Sequence, residues 1–352
     1  MSKYPVPVYL LFGGTSDEYR VSVASSRNIA ATIKEARPIF WARTGEVYEC
    51  DRERLLNFDS PFTKDFDPCG TIISPSLEGF FATIKSSPRP IFIIGLHGGE
   101  GEDGTVQRLL EERGFLYTGS DSVASHNAFD KQKSRKIMRQ AGGLIAQGEE
   151  LPSSLSAVEI ETRLKNFVKK YTRAVLKPNA SGSSFGVSFM QIESNFYEIA
   201  NRIQGEGIDY LIEEFIEGLE ITVGVTDSPH GLIPISTTEV SLAVGRSFDF
   251  NAKYLGQGVK EITPARLPPE LIEAAKELAL LAHRSLRCAG YSRTDMILKD
   301  NRFYFLEINT LPGLTNSSFV PQQLADIGVN LETFLDWQLS PLALQADCVG
   351  NL

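Results

Sequence analysis

The chain opens on an apolar run, Val6 to Phe12, that empties into Gly13-Gly14-Thr15-Ser16, and a helical spacing of apolar residues follows from about Ser22 to Ala36. A second apolar run, Ile91-Phe92-Ile93-Ile94-Gly95-Leu96, is uninterrupted, as expected of a strand buried on both faces of a parallel sheet. It leads into His97-Gly98-Gly99-Glu100-Gly101-Glu102-Asp103-Gly104, and a helix is predicted to begin near Thr105. Strand, glycine-rich turn and helix thus occur twice in the first ~120 residues, which predicts an α/β domain on a parallel sheet. Ligands of such sheets sit beyond the carboxyl ends of the strands, where both turns lie.

Downstream, a helical pattern runs from Asp121 to Gln140 and stops at Gly142-Gly143. The strand Ala174 to Lys177 is stopped by Pro178, a small-residue loop covers Asn179 to Gly186, and Tyr210 to Phe215 reads as another strand. The strands Ile221–Thr226 and Leu232–Thr237 flank Asp227-Ser228-Pro229-His230-Gly231, a hairpin turn by composition. The segment from Val240 to Thr263 has no period, and loops of that length are often functional. A helix from Pro269 to Cys288 leads to strands Arg293–Leu298 and Arg302–Ile308, joined at Asp300-Asn301, and two short helices are predicted to close the chain. There is no internal repeat.

At 352 residues the chain exceeds a single small core, so two or three compact units are expected. With 42% hydrophobic and 22% charged residues it has the composition of a soluble globular protein. A net charge of −9 argues against a broad basic surface for nucleic acid, though not against local Lys and Arg around a phosphate. Met1 to Pro7 has no apolar core of the secretory kind, and no apolar run approaches the ~20 residues that span a bilayer. Cys50, Cys69, Cys288 and Cys348 lack CxxC spacing and read as reduced thiols of a cytoplasmic protein. His97, His126, His230 and His283 form no zinc-ligand pair.

Three clusters carry candidate chemistry. Asp295 lies on one predicted strand and Glu307 and Asn309 on the next, and strand alternation turns Glu307 and Asn309 to one face, with Asp295 able to face them. Two carboxylates and an amide oxygen suit Mg²⁺, but taken alone they read more readily as a solvated strand face. Lys177 precedes Pro178-Asn179-Ala180-Ser181-Gly182-Ser183-Ser184-Phe185-Gly186, whose small residues could fold around phosphate oxygens. The lysine comes before the loop, so this is no Walker A motif, and a surface loop beside a chance lysine remains the alternative. Lys131, in isolation, reads as a solvated surface lysine. The segment Tyr210 to Glu220 offers apolar walls, backbone edges and carboxylates for an adenosine, as many strand ends do.

Nine segments in order resemble the D-alanine–D-alanine ligase family of the ATP-grasp superfamily. They are Gly13-Gly14-x-x-x-Glu18-x-x-x-Ser22, His97-Gly-Gly-x-x-Glu102-Asp103-Gly104, Tyr117-x-x-Ser120, Asp130-Lys131, Lys177-Pro-x-x-x-Gly182-Ser183-Ser184-x-Gly186, Glu213-x-Phe215-Ile216-x-Gly218-x-Glu220, Ala252-Lys253-Tyr254, Ser292-Arg293-x-Asp295 and Leu306-Glu307-x-Asn309-x-x-Pro312-Gly313. The resemblance implies an α/β protein of three domains: residues 1–121, an N-terminal parallel-sheet α/β domain that binds substrate, then residues 122–216 and 217–352, two α+β domains that grip ATP, with a lid over about residues 240–263. It implies nucleotide contacts at Lys131, Lys177, Ser184, Glu213, Phe215, Ile216, Glu220 and Lys253. Asp295, Glu307 and Asn309 would bind two Mg²⁺, with Mn²⁺ as a substitute. Glu18 and His97 would serve the first D-alanine, and Ser318 and Phe319 the carboxylate of the second. Ser183 and Tyr254 would link to Glu18, and Arg293 with the Gly313 N–H would stabilise an oxyanion.

The implied reaction joins two D-alanines through an acyl phosphate, in a cytoplasmic homodimer with no nucleic-acid or membrane partner. The chain departs from the family pattern at Phe248 and Phe250, where tyrosines are usual, at Arg108 for glycine, and at Gln322 where lysine is common. These departures keep a D-serine acceptor open. Retention of every metal and nucleophile-site residue weighs against a non-catalytic ATP-binding regulator.

Overall fold

The structure, a computed structural model, describes residues 3–85, 88–180, 182, 186–242 and 259–350. Three sheets organise it. The first has six strands in the order β4-β3-β2-β1-β5-β6: β1 Val8–Gly13, β2 Arg37–Trp41, β3 Val47–Glu49, β4 Ile72–Ser74, β5 Ile91–Ile94 and β6 Leu116–Tyr117. β2, β1, β5 and β6 are parallel, as the two apolar runs predict. β3 and β4 extend one edge in antiparallel sense, which sequence did not reveal because each is three residues long. Helices α1 (Tyr19–Thr32), α2 (Arg52–Leu56), α3 (Leu77–Thr83) and α4 (Thr105–Glu111) belong to this layer. α1 starts three residues earlier than the apolar spacing suggests, since the tight turn from Ser16 places Glu18 at its N-cap.

The pattern from Asp121 to Gln140 resolves into two helices, α5 (Ser122–Phe129) and α6 (Lys131–Gln140). Asp130 breaks them: its carboxylate accepts the Lys133 N–H at 3.0 Å and so caps α6, the usual work of a short acid at a helix start. Both helices pack on the third sheet, where Ala128, Met138 and Ile145 share a core with Ala282, Leu286, Phe305 and Ile308.

The second sheet has the order β7-β10-β8-β9, all antiparallel: β7 Gly148–Leu151, β8 Arg173–Pro178, β9 Ser188–Gln191 and β10 Tyr210–Glu214. Helices α7 (Ala157–Tyr171) and α8 (Phe196–Glu206) cover one face through Ile160, Leu164, Ala200, Ile203 and the inward Leu176, Tyr210 and Ile212. By alternation the opposite face presents Lys177, Leu211, Glu213 and Phe215.

The third sheet has the order β13-β12-β11-β14-β15: β11 Leu219–Ser228, β12 Gly231–Leu242, β13 Val259–Ile262, β14 Tyr291–Lys299 and β15 Arg302–Asn309. Asp300 and Asn301 turn β14 into β15 with φ of 50° and 58°, a left-handed pair that Asp and Asn tolerate better than most residues. One face rests on α9 (Pro269–Ser285) through Val223, Ala275, Ala279, Met296 and Phe303. α10 (Phe319–Asp326) lies near β11 and β12, held by Gln323, whose Nε2 donates to Thr222 O at 3.0 Å and whose Oε1 accepts the Gly224 N–H at 2.7 Å. The last helix, α11 (Leu331–Gly350), runs 20 residues where a short one was expected and carries Pro341 within it. Its Phe334, Leu335 and Leu339 join the core of the first sheet, which also takes in Leu311, Leu314 and Val320. Among the described residues no helix is long and apolar enough to cross a membrane.

Candidate active site

The turns after β1 and β5 meet at the carboxyl edge of the first sheet. Ser22 ties them: its Oγ donates to Gly95 O at 2.6 Å and accepts the Gly13 N–H at 2.8 Å. Ser16 Oγ donates to His97 O at 2.6 Å. Between these turns sits Glu18, and two glycines press on its carboxylate. A Cβ at Gly98, where φ is +66°, would lie 2.9 Å from Glu18 Oε2, and one at Gly182 would lie 2.8 Å from Oε1. Either distance is too short for a real side chain, so both positions need glycine if Glu18 keeps its place.

His97 is buried, with Nε2 3.0 Å from Ser25 Oγ and Nδ1 3.7 Å from the buried Glu102 carboxylate. Ser25 Oγ in turn accepts the Leu314 N–H at 3.2 Å. The first sheet is thereby fastened to the turn that follows β15. In that turn Gly313 packs so closely on Ser318 that a Cβ would fall 2.8 Å from its Oγ. Asn309 Oδ1 accepts the Leu311 N–H at 2.8 Å, which shapes the start of the same turn.

The site face of the third sheet is set by a bulge. Asp295 pairs with Glu307, but Met296 pairs with Phe305, so Leu306 is extra. Phe303 and Phe305 point into the core, and strict alternation would send Glu307 and Asn309 after them. The bulge shifts the count, so Ile308 is buried instead and Glu307 and Asn309 face the cavity. Arg293 and Asp295 share this face. Arg293 holds Asp295 in a two-pronged contact, Nε to Oδ1 at 2.8 Å and Nη2 to Oδ2 at 2.6 Å, and Thr222 Oγ1 donates to Oδ1 at 2.6 Å. The Arg293 guanidinium also lies 5.2 Å from the Phe319 ring centre.

Lys131, a surface lysine when read in isolation and a nucleotide contact by the resemblance, is 6% exposed, and its Nζ is 3.7 Å from Glu307. Asn179 fastens it in place, taking the Lys131 and Gln132 backbone N–H groups through its own backbone and side-chain oxygens. On the second sheet Lys177 and Glu213 are both buried and form an ion pair, and Arg135 of α6 pairs with the same Glu213. Arg135 Nη2 also donates to Ala146 O at 2.7 Å. Burial, with Lys131 and Arg135 nearby, pushes the Lys177 ammonium down to about 7, against a smaller opposite pull from Glu307.

These parts enclose a cavity of about 850 Å³, part of it open solvent. Of the residues singled out from sequence, Glu18, His97, Lys131, Arg293, Glu307, Asn309, Gly313, Ser318 and Phe319 line it. Lys177, Glu213 and Asp295 are buried and held in ion pairs. Ile216 is buried, and Phe215 is half-buried under Arg173, whose guanidinium sits 4.0 Å from its ring centre. Glu220 is half-buried on β11. Ser183, Ser184, Phe248, Phe250, Lys253 and Tyr254 lie outside the described residues. Arg108 is exposed on α4. Sequence reasoning gave no role to Arg135 or to Glu261, which also lines the cavity. Arg135 sits four residues after Lys131, one helical turn along the same face, and that spacing was the available signal.

The donor set of Asp295, Glu307 and Asn309 fits a hard divalent cation by chemistry. All three offer oxygen: Asp295 Oδ1 takes two of the hydrogen bonds given above, while Asp295 Oδ2 and Asn309 Oδ1 take one each, which leaves an oxygen a lone pair to give a cation. Among the described residues no three of His, Cys, Asp and Glu gather at one point, so a cation here would also draw on the Asn309 amide and on oxygens of a bound ligand.

Comparison with known proteins bears on this arrangement. The family model "D-ala D-ala ligase N-terminus" matches residues 7–120, and "D-ala D-ala ligase C-terminus" matches residues 156–339. The chain is 33% identical to the D-alanine–D-alanine ligase of Leptospira biflexa over 96% of its own length and 99% of that relative. Among solved structures it superposes on the VanG D-Ala:D-Ser ligase from Enterococcus faecalis with a TM-score of 0.77 and 28% identity, over 96% of this chain and 98% of that one. The D-alanine–D-alanine ligase from Bacillus anthracis complexed with ATP matches in fold, with a TM-score of 0.69 and 24% identity over 96% and 97% of the two chains.

Proposed function

The chain belongs to the D-alanine–D-alanine ligase family, and from that premise we propose that it joins two D-alanines into D-alanyl-D-alanine, the peptidoglycan precursor, with conversion of ATP to ADP and phosphate. The observation that carries the reading is one cavity receiving Glu18 and His97 from the first sheet, Lys131 from α6, and Arg293, Glu307, Asn309 and Gly313 from the third sheet and its turn.

The residues divide the work by position. Glu18, wedged between Gly98 and Gly182, orients the ammonium of the first D-alanine, with the His97 imidazole nearby. The carboxylate of that substrate attacks the γ-phosphate in line and becomes an acyl phosphate. Lys131 and Lys177 offset charge on the phosphates, and a phosphate beside Lys177 would favour its protonated form. Glu213, Phe215 and Ile216 border the adenine, and Glu220 meets the ribose. Asp295, Glu307 and Asn309 would hold two Mg²⁺, replaceable by Mn²⁺, which would supply further neutralisation of charge on the transferred phosphoryl group. The second D-alanine, placed by Ser318 and Phe319, attacks the acyl carbon as a neutral amine. Arg293 and the Gly313 N–H stabilise the resulting oxyanion, and phosphate departs. Ser183, Ser184, Lys253 and Tyr254 join the closed site, with residues about 240–263 as a lid that excludes water.

The proposal includes an ATP-grasp arrangement of three domains over residues 1–121, 122–216 and 217–352, a cytoplasmic setting and a homodimer. The second reading, a D-serine acceptor, is favoured by the resemblance to the D-Ala:D-Ser ligase. The test is phosphate release with ATP and D-alanine, followed by equal D-alanine, D-serine and D-lactate with products separated by mass. D-Alanyl-D-alanine should predominate. Predominant D-alanyl-D-serine would replace the first reading with the second, and equal turnover of L-alanine would overturn both.

A further inference from the structure

Glu261 stands on β13, the edge strand of the third sheet, and pairs with Val240, which pairs with Glu220. Cross-strand partners share a face, so Glu261 projects from the same face as Glu220, Asp295 and Glu307. It lines the cavity beside Ser317, Ser318 and Phe319, the end assigned above to the second substrate.

Among the described residues four carboxylates line this cavity, and their surroundings differ. Glu307 has Lys131, Glu102 has His97, and Glu18 is assigned to the first substrate. Among the described residues the side chain that hydrogen-bonds Glu261 is Gln322, with Nε2 donating to Oε2 at 3.0 Å. The same amide nitrogen donates to Ser317 O at 2.9 Å, so Gln322 is anchored to the substrate-bearing turn and fixes the carboxylate from behind. An amide adds no charge. A lysine at 322, common in the family pattern, would neutralise Glu261 in place. Arg293 acts on Glu261 across space, but its guanidinium is engaged in two hydrogen bonds with Asp295. Burial pushes the Glu261 carboxyl above its ordinary pKa, against the smaller opposing effects of the Gln322 N–H and the Arg293 charge.

We propose that Glu261 is a specificity residue for the second substrate, its charge left in place by the neutral Gln322 so that the site favours an acceptor with a cationic amine over a neutral hydroxy acid. The proposal rests on the ligase reading and concerns binding of the acceptor, which precedes loss of its proton.

Two substitutions test it in the full-length chain with ATP and Mg²⁺. Glu261→Gln keeps the shape and removes the charge, and Gln322→Lys keeps the carboxylate and neutralises it. Each should raise the KM of the second D-alanine roughly tenfold, leave the first-site KM and kcat within about threefold, and move the product ratio under equal D-alanine and D-lactate roughly tenfold toward the depsipeptide. An unchanged ratio in both variants would overturn the proposal, as would an equal rise in both KM values, which marks a merely structural role. The ligase reading would survive either result, because the unmodified chain would still form D-alanyl-D-alanine. Failure of the unmodified chain to form it would overturn both.

Discussion

The two walls of the cavity are built on different principles. The side formed by the third sheet and α6, with the adjoining second sheet, holds its charges in pairs: Lys177 and Arg135 on Glu213 and Arg293 on Asp295, all buried, and Lys131 on the half-exposed Glu307. The wall made by the turns of the first sheet relies on glycines, hydroxyls and backbone groups around Glu18 and His97. A buried charge kept without its partner is costly, so the sheet wall must neutralise itself until a nucleotide arrives. On the proposed reading the turn wall recognises a small zwitterion, and close packing of Gly98 and Gly182 on Glu18 fixes the orientation of that carboxylate. Charge neutralisation thus dominates one side of the site and shape the other.

The sharpest break of this contrast is Glu213→Gln, which leaves Lys177 and Arg135 buried beside a neutral amide. Loss of one member of a buried pair costs about 3–5 kcal/mol, so the urea midpoint of the nucleotide-free protein should fall steeply, and ATP should recover part of it. An unchanged midpoint would mean that the pairs are not what holds that wall.

Next come Asp295→Asn and Glu307→Gln. Each removes a carboxylate from the proposed transfer site, and kcat should drop ~10²–10³-fold, as when one electrostatic stabiliser is deleted, with the fold retained by circular dichroism. Near-normal turnover at ordinary Mg²⁺ would remove that residue from the metal set.

On the turn wall, Gly98→Ala should act by shape alone. The new methyl meets Glu18 Oε2 at 2.9 Å from a left-handed backbone, so the first-site KM for D-alanine should rise by roughly tenfold while the KM for ATP holds. Equal changes in both would erase the distinction between the walls.

The smallest effect lies away from both. His283 is buried against Ser292 at 2.8 Å, and burial pulls its pKa down to about 4. The folded state therefore binds fewer protons than the unfolded one between about 6.5 and about 4, and stability is lost as pH falls through that window. His283→Gln should flatten that part of the denaturation profile without altering turnover. An unchanged slope would show that His283 is not the group responsible.

The large features were legible because they follow from local pattern. Two uninterrupted apolar runs ending in glycine turns gave the parallel centre of the first sheet, and alternation put Glu307 and Asn309 on one face. What escaped depended on partners far away in sequence. Lys131 entered the site only through the resemblance, and by itself looked like a surface lysine, because nothing near it in sequence shows that Asn179 and Glu307 will enclose it. Glu261 sits in a polar stretch with no period, and its importance comes only from β12 and α10 bringing it to the cavity. The break at Asp130 was hidden because its neighbours on both sides favour helix, and the cap competes with continuation at a single residue.

The extra residue at Leu306 makes the site a matter of parity. The pairing skips it, so Phe305 and Glu307, two apart in sequence, sit on opposite faces. Deleting Leu306 would make Met296–Phe305 and Asp295–Glu307 consecutive regular pairs, remove the local bend and leave both faces as they are. Pairing Leu306 into the ladder would instead exchange the faces of the strand's end, sending Glu307 and Asn309 toward the hydrophobic interior and Ile308 toward the cavity.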